Sequence, residues 1–187
     1  MYFTKEIPSH PKDLRHLFDT LTPTHKLMFA GLMAALATVL QSSGGMFPGV
    51  SFVISLLTTA PILLSALISF RLGAMTYILT ALLLSLIQPS ELIFFPFTTG
   101  LLGLFLGWTL LLFNRRLDIV VSSGTLLFFG MCIPLYLFDF PVFGPTILSS
   151  FNITVLAFTF CFSLLYSWLW LEIGLLLLRK IKNFLIL

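Results

Sequence analysis

The side chains of this sequence that could bind a small molecule stand near the ends of long apolar runs. Gln41 closes the first run, Glu91 precedes the fourth, and Asp139 and Asn152 lie near the start of the last. Phenylalanines are frequent among them. A few convergent polar groups in an aromatic, apolar wall are typical of a small-molecule pocket. The alternative is that they are the ordinary polar loop ends of a membrane protein.

The apolar runs lack the paired catalytic residues that an enzyme active within the membrane would need. All three histidines, His10, His16 and His25, precede the first apolar run, and neither an HExxH pair nor a glycine-rich phosphate loop occurs. An intramembrane protease or metalloenzyme requires paired ligands or an activated nucleophile at membrane depth. We therefore expect no enzyme activity, no catalytic residue, no metal and no cofactor.

Glu172 is the only acid inside an apolar run. A proton-coupled transporter usually carries an ionisable group near mid-membrane, so the position of this residue bears on the transport mechanism. The neighbouring Tyr166, Trp168 and Trp170 are typical of the membrane interface. We therefore expect Glu172 to lie at the interface and to pair with Arg179.

Composition identifies the chain as an integral membrane protein. Hydrophobic residues make up 58% of the 187 residues, charged residues make up 9%, and the mean hydropathy is +1.08. Residues 1–25 are predicted to form a cytoplasmic segment with a short amphipathic helix over 9–22, followed by a transmembrane domain over 26–187 with a short basic tail. We predict an all-α bundle of six transmembrane helices, over residues 26–41, 52–70, 72–87, 94–113, 119–138 and 147–178.

The basic residues predict the orientation of this bundle. With six helices that cross the membrane in alternation, all ten Lys and Arg residues fall on one side. The positive-inside rule makes that side cytoplasmic, so both termini are expected inside the cell membrane. The three outer connections hold only Glu91 and Asp139 as charged residues.

The first apolar run has one side made almost entirely of small residues. Ala30 and Ala34 are one turn apart, and Gly31, Ala35 and Thr38 repeat the spacing one residue further round. Small residues let helix backbones approach closely in lipid. The face therefore predicts a neighbour, which is either another helix of the same chain or a separate membrane protein.

These features resemble a known family. The alanine-rich first helix with Ala30 and Ala34, the Gly/Pro-rich outer loop and the run TTAPILLSALISFRLGAMTYILTALLLSLI resemble the substrate-binding S components of energy-coupling factor (ECF) transporters. The resemblance covers residues 26–178. It implies binding of a vitamin or cofactor precursor from outside. It also implies that Ala30 and Ala34 contact a membrane coupling subunit, which two cytoplasmic ATPases drive.

We therefore expect a membrane-embedded binding subunit for uptake of a small molecule, with Gln41, Glu91, Asp139 and Asn152 in its site. The identity of the ligand and the oligomeric state are not specified by the sequence. The second interpretation is a scaffold or cell-envelope assembly protein without transport activity, and a lipid-modifying enzyme is the third. We expect partners in the bilayer and no nucleic acid, despite the net charge of +3.

Overall fold

The computed structural model describes residues 22–44, 50–138 and 153–185. The predicted amphipathic helix over 9–22 therefore lies almost entirely outside the described residues, as do the candidate site residues Asp139 and Asn152. The α-helices are α1 (Pro23–Ser43), α2 (Val50–Leu56), α3 (Thr59–Ile68), α4 (Phe70–Ile87), α5 (Thr99–Leu112), α6 (Arg116–Leu137) and α7 (Ile153–Leu185). Two short 3₁₀ helices, Pro89–Ile93 and Phe95–Phe97, connect α4 to α5.

The predicted fold class is confirmed in outline, because the described residues form an all-α protein with several membrane-spanning helices. Within the described residues, five segments are long and apolar enough to cross a bilayer, and the shorter apolar segment Val53–Ile68 lies between the first two of them. The 33 residues of α7 would extend for about 50 Å, compared with about 30 Å for the apolar layer of a membrane. This helix must therefore tilt or extend beyond the apolar layer.

The predicted second span is divided between α2 and α3. The division falls at Leu57 and Thr58, where backbone N–H groups bond to the carbonyls three residues before them at 3.0 and 3.1 Å. Pro61 lies in the first turn of α3, where a missing N–H costs no helical hydrogen bond. The single apolar run predicted over 52–70 is therefore divided into two helices, and the division lies just before Pro61.

Small residues bring three helices together at Ala66 in α3. A β-carbon added at Gly73 of α4 would lie 2.6 Å from the β-carbon of Ala66, and one added at Gly107 of α5 would also overlap Ala66. Such close approach increases dispersion contact between helix backbones in lipid. Leucines of α3 and α5, among them Leu63 and Leu106, continue the core towards α6 and α7.

Successive membrane-crossing segments run antiparallel, so the described basic residues gather at one end of the bundle. Contacts between Gly73 and Ala66 join the end of α3 to the start of α4, and Arg116 at the start of α6 contacts Glu172 near the end of α7. We call this end, which also holds Arg71 and Arg179, the inner end. The opposite end, with the two 3₁₀ helices, is the outer end.

Candidate ligand-binding site at the outer end

The site is built around Glu91, which lies in the first 3₁₀ helix after α4. Pro89 cannot donate a backbone hydrogen bond and cannot continue α4, which ends at Ile87. The chain turns through a tight 3₁₀ helix, in which the Glu91 N–H donates to the Gln88 carbonyl at 3.1 Å. The turn leaves the Glu91 side chain half-buried at the outer end of the bundle.

Gln41, in the last turn of α1, holds the Glu91 carboxylate. Its side chain is fully buried, and its amide Nε2 donates to Glu91 Oε2 at 2.8 Å. The other end of the amide, Oε1, accepts from the Thr99 hydroxyl at 3.0 Å. A carboxylate only accepts hydrogen bonds, so it fixes which end of the amide faces it. Helix α1, the 3₁₀ helix and α5 are thereby joined through one side chain.

The hydrogen-bond network continues from Thr99 to α7. The Thr59 hydroxyl donates to the Thr99 carbonyl at 3.3 Å and lies 3.4 Å from the Tyr166 hydroxyl. Tyr166 donates to the carbonyl of Leu56 at 3.2 Å. In a continuous α-helix the N–H of Ala60 would bond to the Leu56 carbonyl. At the division between α2 and α3 it bonds to the Leu57 carbonyl instead, which leaves the Leu56 carbonyl available. A buried carbonyl without a partner is costly in lipid, and Tyr166 removes that cost.

Aromatic rings position the second 3₁₀ helix beside this network. The Tyr77 ring stacks on Phe95 with centroids 5.5 Å apart, and its hydroxyl donates to the Pro96 carbonyl at 3.0 Å. Phe95 is fully buried. Phe97 and Phe138 pair at a centroid distance of 6.4 Å and keep part of their surface exposed. The outer end therefore combines a held carboxylate with exposed aromatic surface.

Comparison with protein-family models, characterised proteins and solved structures finds no match for this chain. The chemistry of the outer end therefore carries the functional interpretation. The polar groups of the outer end that could contact a ligand are one carboxylate, one amide and several hydroxyls. Among the described residues, no group of three or more His, Cys, Asp or Glu side chains could hold a metal ion.

Two of the four predicted pocket residues, Gln41 and Glu91, are in direct contact although they are 50 positions apart in the sequence. Sequence analysis did not predict the participation of Thr59, Thr99 and Tyr166. Adjacent threonines stand at 58–59 and at 98–99, each beside an apolar run, and that repetition was the available signal. The role of Tyr166 had no comparable signal.

The assignment of all three aromatic residues of α7 to the membrane interface needs correction. Tyr166 and Trp170 are buried inside the bundle, with exposed fractions of 9% and 2%, and only Trp168 has substantial exposure. Successive positions rotate by about 100°, so Tyr166 and Trp170, four positions apart, share one side of the helix and Trp168 falls on the other. Composition alone did not reveal which side of α7 faces the other helices.

Glu172 also has a different partner from the one expected. Its Oε1 accepts from Arg116 Nη1 at 2.9 Å, and the Arg116 side chain is only 9% exposed. Arg179 is exposed on the same helix. The expected pairing of Glu172 with Arg179 is therefore replaced by an ion pair that joins α6 to α7 at the inner end.

The small face of α1 lies against α4 of the same chain. Ala30 and Ala34 are buried, with exposed fractions of 2% and 0%. The Thr76 hydroxyl of α4 donates to the Ala30 carbonyl at 3.5 Å, and the Thr80 hydroxyl, which donates to Thr76 of its own helix at 2.7 Å, lies 3.5 Å from the Ala34 carbonyl. Of the two neighbours considered for this face, the described structure contains the internal one. The adjacent Gly31 and Ala35 remain accessible from the membrane side.

A separate groove of about 590 Å³ opens between α5 and α6 near the inner end. Its lining is mainly apolar and includes Phe105, Phe113 and Phe129. The hydroxyls of Ser122 and Thr125 in this groove already donate to carbonyls of their own helix, at 3.2 and 2.6 Å. Asp118 also lines the groove, but its carboxylate is exposed, whereas the Glu91 carboxylate is half-buried and held by a buried amide. The outer end is therefore the better candidate ligand site.

Proposed function

We propose that this chain is a membrane-embedded binding subunit that takes up a small molecule from the outer side. The observation that carries the proposal is the Glu91–Gln41–Thr99 network, with hydrogen bonds of 2.8 and 3.0 Å, at one end of a strongly apolar helix bundle. Polar and ionisable side chains within a membrane protein are costly to bury, so those that are present commonly serve binding or transport. A few directed polar groups beside aromatic surface suit the recognition of a small ligand.

The orientation of the bundle is part of the proposal. The ten Lys and Arg residues favour a cytoplasmic inner end, which leaves Glu91 at the extracytoplasmic end. A reporter enzyme fused after Leu187 tests this orientation. We expect activity from a reporter that works only in the cytoplasm, and activity from one that works only outside would invert the proposed direction of uptake.

Delivery of the ligand inwards would require a separate coupling subunit with two cytoplasmic ATPases, as the resemblance to S components implies. Ala30 and Ala34 are covered by α4, so a partner helix could reach them only by displacing α4. The accessible part of the small-residue surface is the edge with Gly31 and Ala35. In this proposal that edge contacts the coupling subunit.

Matched pairs of leucine substitutions test the contact. Gly31→Leu with Ala35→Leu places side chains on the open edge, and we expect normal folding and ligand binding but loss of co-purification with a coupling subunit and ATPases. Ala30→Leu with Ala34→Leu adds volume against α4, and we expect a destabilised protein. Co-purification that survives the first pair would exclude this edge as the contact.

Native mass spectrometry of the gently purified full-length chain tests the binding function itself. We expect one small molecule per chain, and about ten-fold to a hundred-fold weaker binding in Glu91→Ala because a hydrogen bond to a buried ligand is lost. Ser90→Ala, at an exposed neighbouring position, is the control and should bind normally. A chain that retains no small molecule from any membrane preparation would favour the scaffold interpretation.

A further inference from the structure

We propose that the ligand carries a positively charged nitrogen that pairs with the Glu91 carboxylate. This inference rests on the proposed binding function and specifies the chemical class of its ligand. At the outer end, the Glu91 carboxylate is hydrogen-bonded to a neutral group, the amide of Gln41.

The three predicted outer connections contain no cationic residue. Lys, Arg and His are absent from residues 27–70, 72–114 and 117–178, and these ranges contain all three outer connections. The described residues give the Glu91 carboxylate one side-chain hydrogen-bond donor, the amide of Gln41. The positive-inside rule explains why Lys and Arg are rare in the outer connections. It does not explain why the Glu91 carboxylate is hydrogen-bonded at the outer end.

Partial burial makes an uncompensated carboxylate costly. Glu91 is half-buried, and Gln41 is completely buried, so solvent reaches the hydrogen-bonded side of the carboxylate poorly. A buried charge is normally paired, because removing it from water costs more than one neutral hydrogen bond returns. If the contact only tied α1 to the 3₁₀ helix, an amide at position 91 would serve without that cost. A cationic ligand would compensate the charge.

An organic ammonium group fits this site better than a metal ion. Calcium takes about six to eight oxygen ligands, and its protein sites usually supply several of them from carboxylates or carbonyls. Among the described residues, no cluster of three or more acids, histidines or cysteines meets that requirement. One carboxylate is enough for an ammonium group. The pair of Phe97 and Phe138 at the same end offers ring faces that attract cations.

The experiment uses three indole probes of nearly equal size and different charge, with the full-length chain in lipid nanodiscs. Tryptamine is cationic, indole-3-ethanol is neutral and indole-3-propionate is anionic. Native mass spectrometry measures the binding of each probe and the mass of any molecule retained from the cells. We expect tryptamine to bind at least about ten-fold more tightly than the other two.

The decisive variant is Glu91→Gln, which keeps the shape of the side chain and an oxygen that accepts from Gln41. We expect about ten-fold or greater loss of tryptamine binding and little change for indole-3-ethanol. Asp118→Asn is the matched control, because it removes the exposed carboxylate that lines the apolar groove near the inner end. Its tryptamine binding should equal that of the unchanged chain.

The outcomes separate this inference from the proposed function. A retained molecule without a basic nitrogen would overturn the inference and leave the binding function intact. Equal binding of tryptamine and indole-3-ethanol, or unchanged tryptamine binding in Glu91→Gln, would do the same. If no molecule is retained and none of the three probes binds, both proposals fail.

Discussion

Each end of the bundle holds a carboxylate, and the two carboxylates differ in the charge of their hydrogen-bond partner. At the inner end, Glu172 accepts from the Arg116 guanidinium at 2.9 Å, while at the outer end Glu91 accepts from the Gln41 amide at 2.8 Å. The distances are nearly equal, but only the inner contact neutralises the charge. The inner pair is therefore complete within the protein, whereas the outer carboxylate keeps a net negative charge.

Removing the cation of the inner pair should have the largest effect on stability. Arg116→Leu leaves Glu172 partly buried without its partner, and we expect the free energy of unfolding to fall by about 2 to 4 kcal/mol, a value reduced for the partial exposure of Glu172. Thermal unfolding in detergent measures the change. Arg115→Leu, at the exposed neighbouring position, should be nearly neutral. A similar effect of both substitutions would mean that the pair is not the cause.

Removing both partners of the inner pair should be less harmful than removing the arginine alone. Arg116→Leu combined with Glu172→Leu leaves no unpaired charge, so we expect at least half of the lost stability to return. The same thermal unfolding experiment provides the comparison. Equal instability of the single and double variants would show that Arg116 acts through packing instead of charge.

Removing the amide at the outer end should have an intermediate effect. Gln41→Leu deprives Glu91 of its donor and the Thr99 hydroxyl of its acceptor, and we expect a loss of about 1 to 3 kcal/mol. Thermal unfolding again measures the loss. Ser43→Ala is the control, since that hydroxyl donates to Leu40 of its own helix at 2.7 Å. If Gln41→Leu unfolds at the same temperature as the control, the network does not stabilise the fold.

The smallest effect should come from the far end of the outer network. Tyr166→Phe removes the donor to the Leu56 carbonyl and keeps the ring, so we expect a loss of about 1 kcal/mol. Hydrogen exchange near the division between α2 and α3 should also become faster. Unchanged exchange there would mean that another group takes over the carbonyl.

The apolar runs predicted the helices well because a membrane imposes its thickness on sequence. The contact between α1 and the α4–α5 connection was also partly predictable. Gln41 ends the first apolar run and Glu91 precedes the fourth, and both positions are predicted on the same side of the membrane. Side-chain partners were harder to predict. Whether Glu172 meets Arg179 or Arg116 depends on the rotation of α7 against α6, which hydropathy leaves undetermined when a helix is apolar all round.

The small-residue face illustrates the same limit. Its spacing predicted a close neighbour, and α4 provides one through Thr76 and Thr80. The spacing carries no information on whether the neighbour belongs to the same chain, because small residues promote close packing in both cases. Only the three-dimensional contacts distinguish the buried Ala30 and Ala34 from the accessible Gly31 and Ala35.

The close approach of helices at Ala66 has a consequence for motion. Gly73 and Gly107 leave no space for an additional carbon next to Ala66, so α3, α4 and α5 have no free volume through which to compress. Packed elements of this kind move as rigid bodies or slide along their contact, because their interfaces do not deform continuously. We therefore expect a rearrangement of this protein in the membrane to keep α3, α4 and α5 in contact, either as one rigid unit or by sliding along that contact.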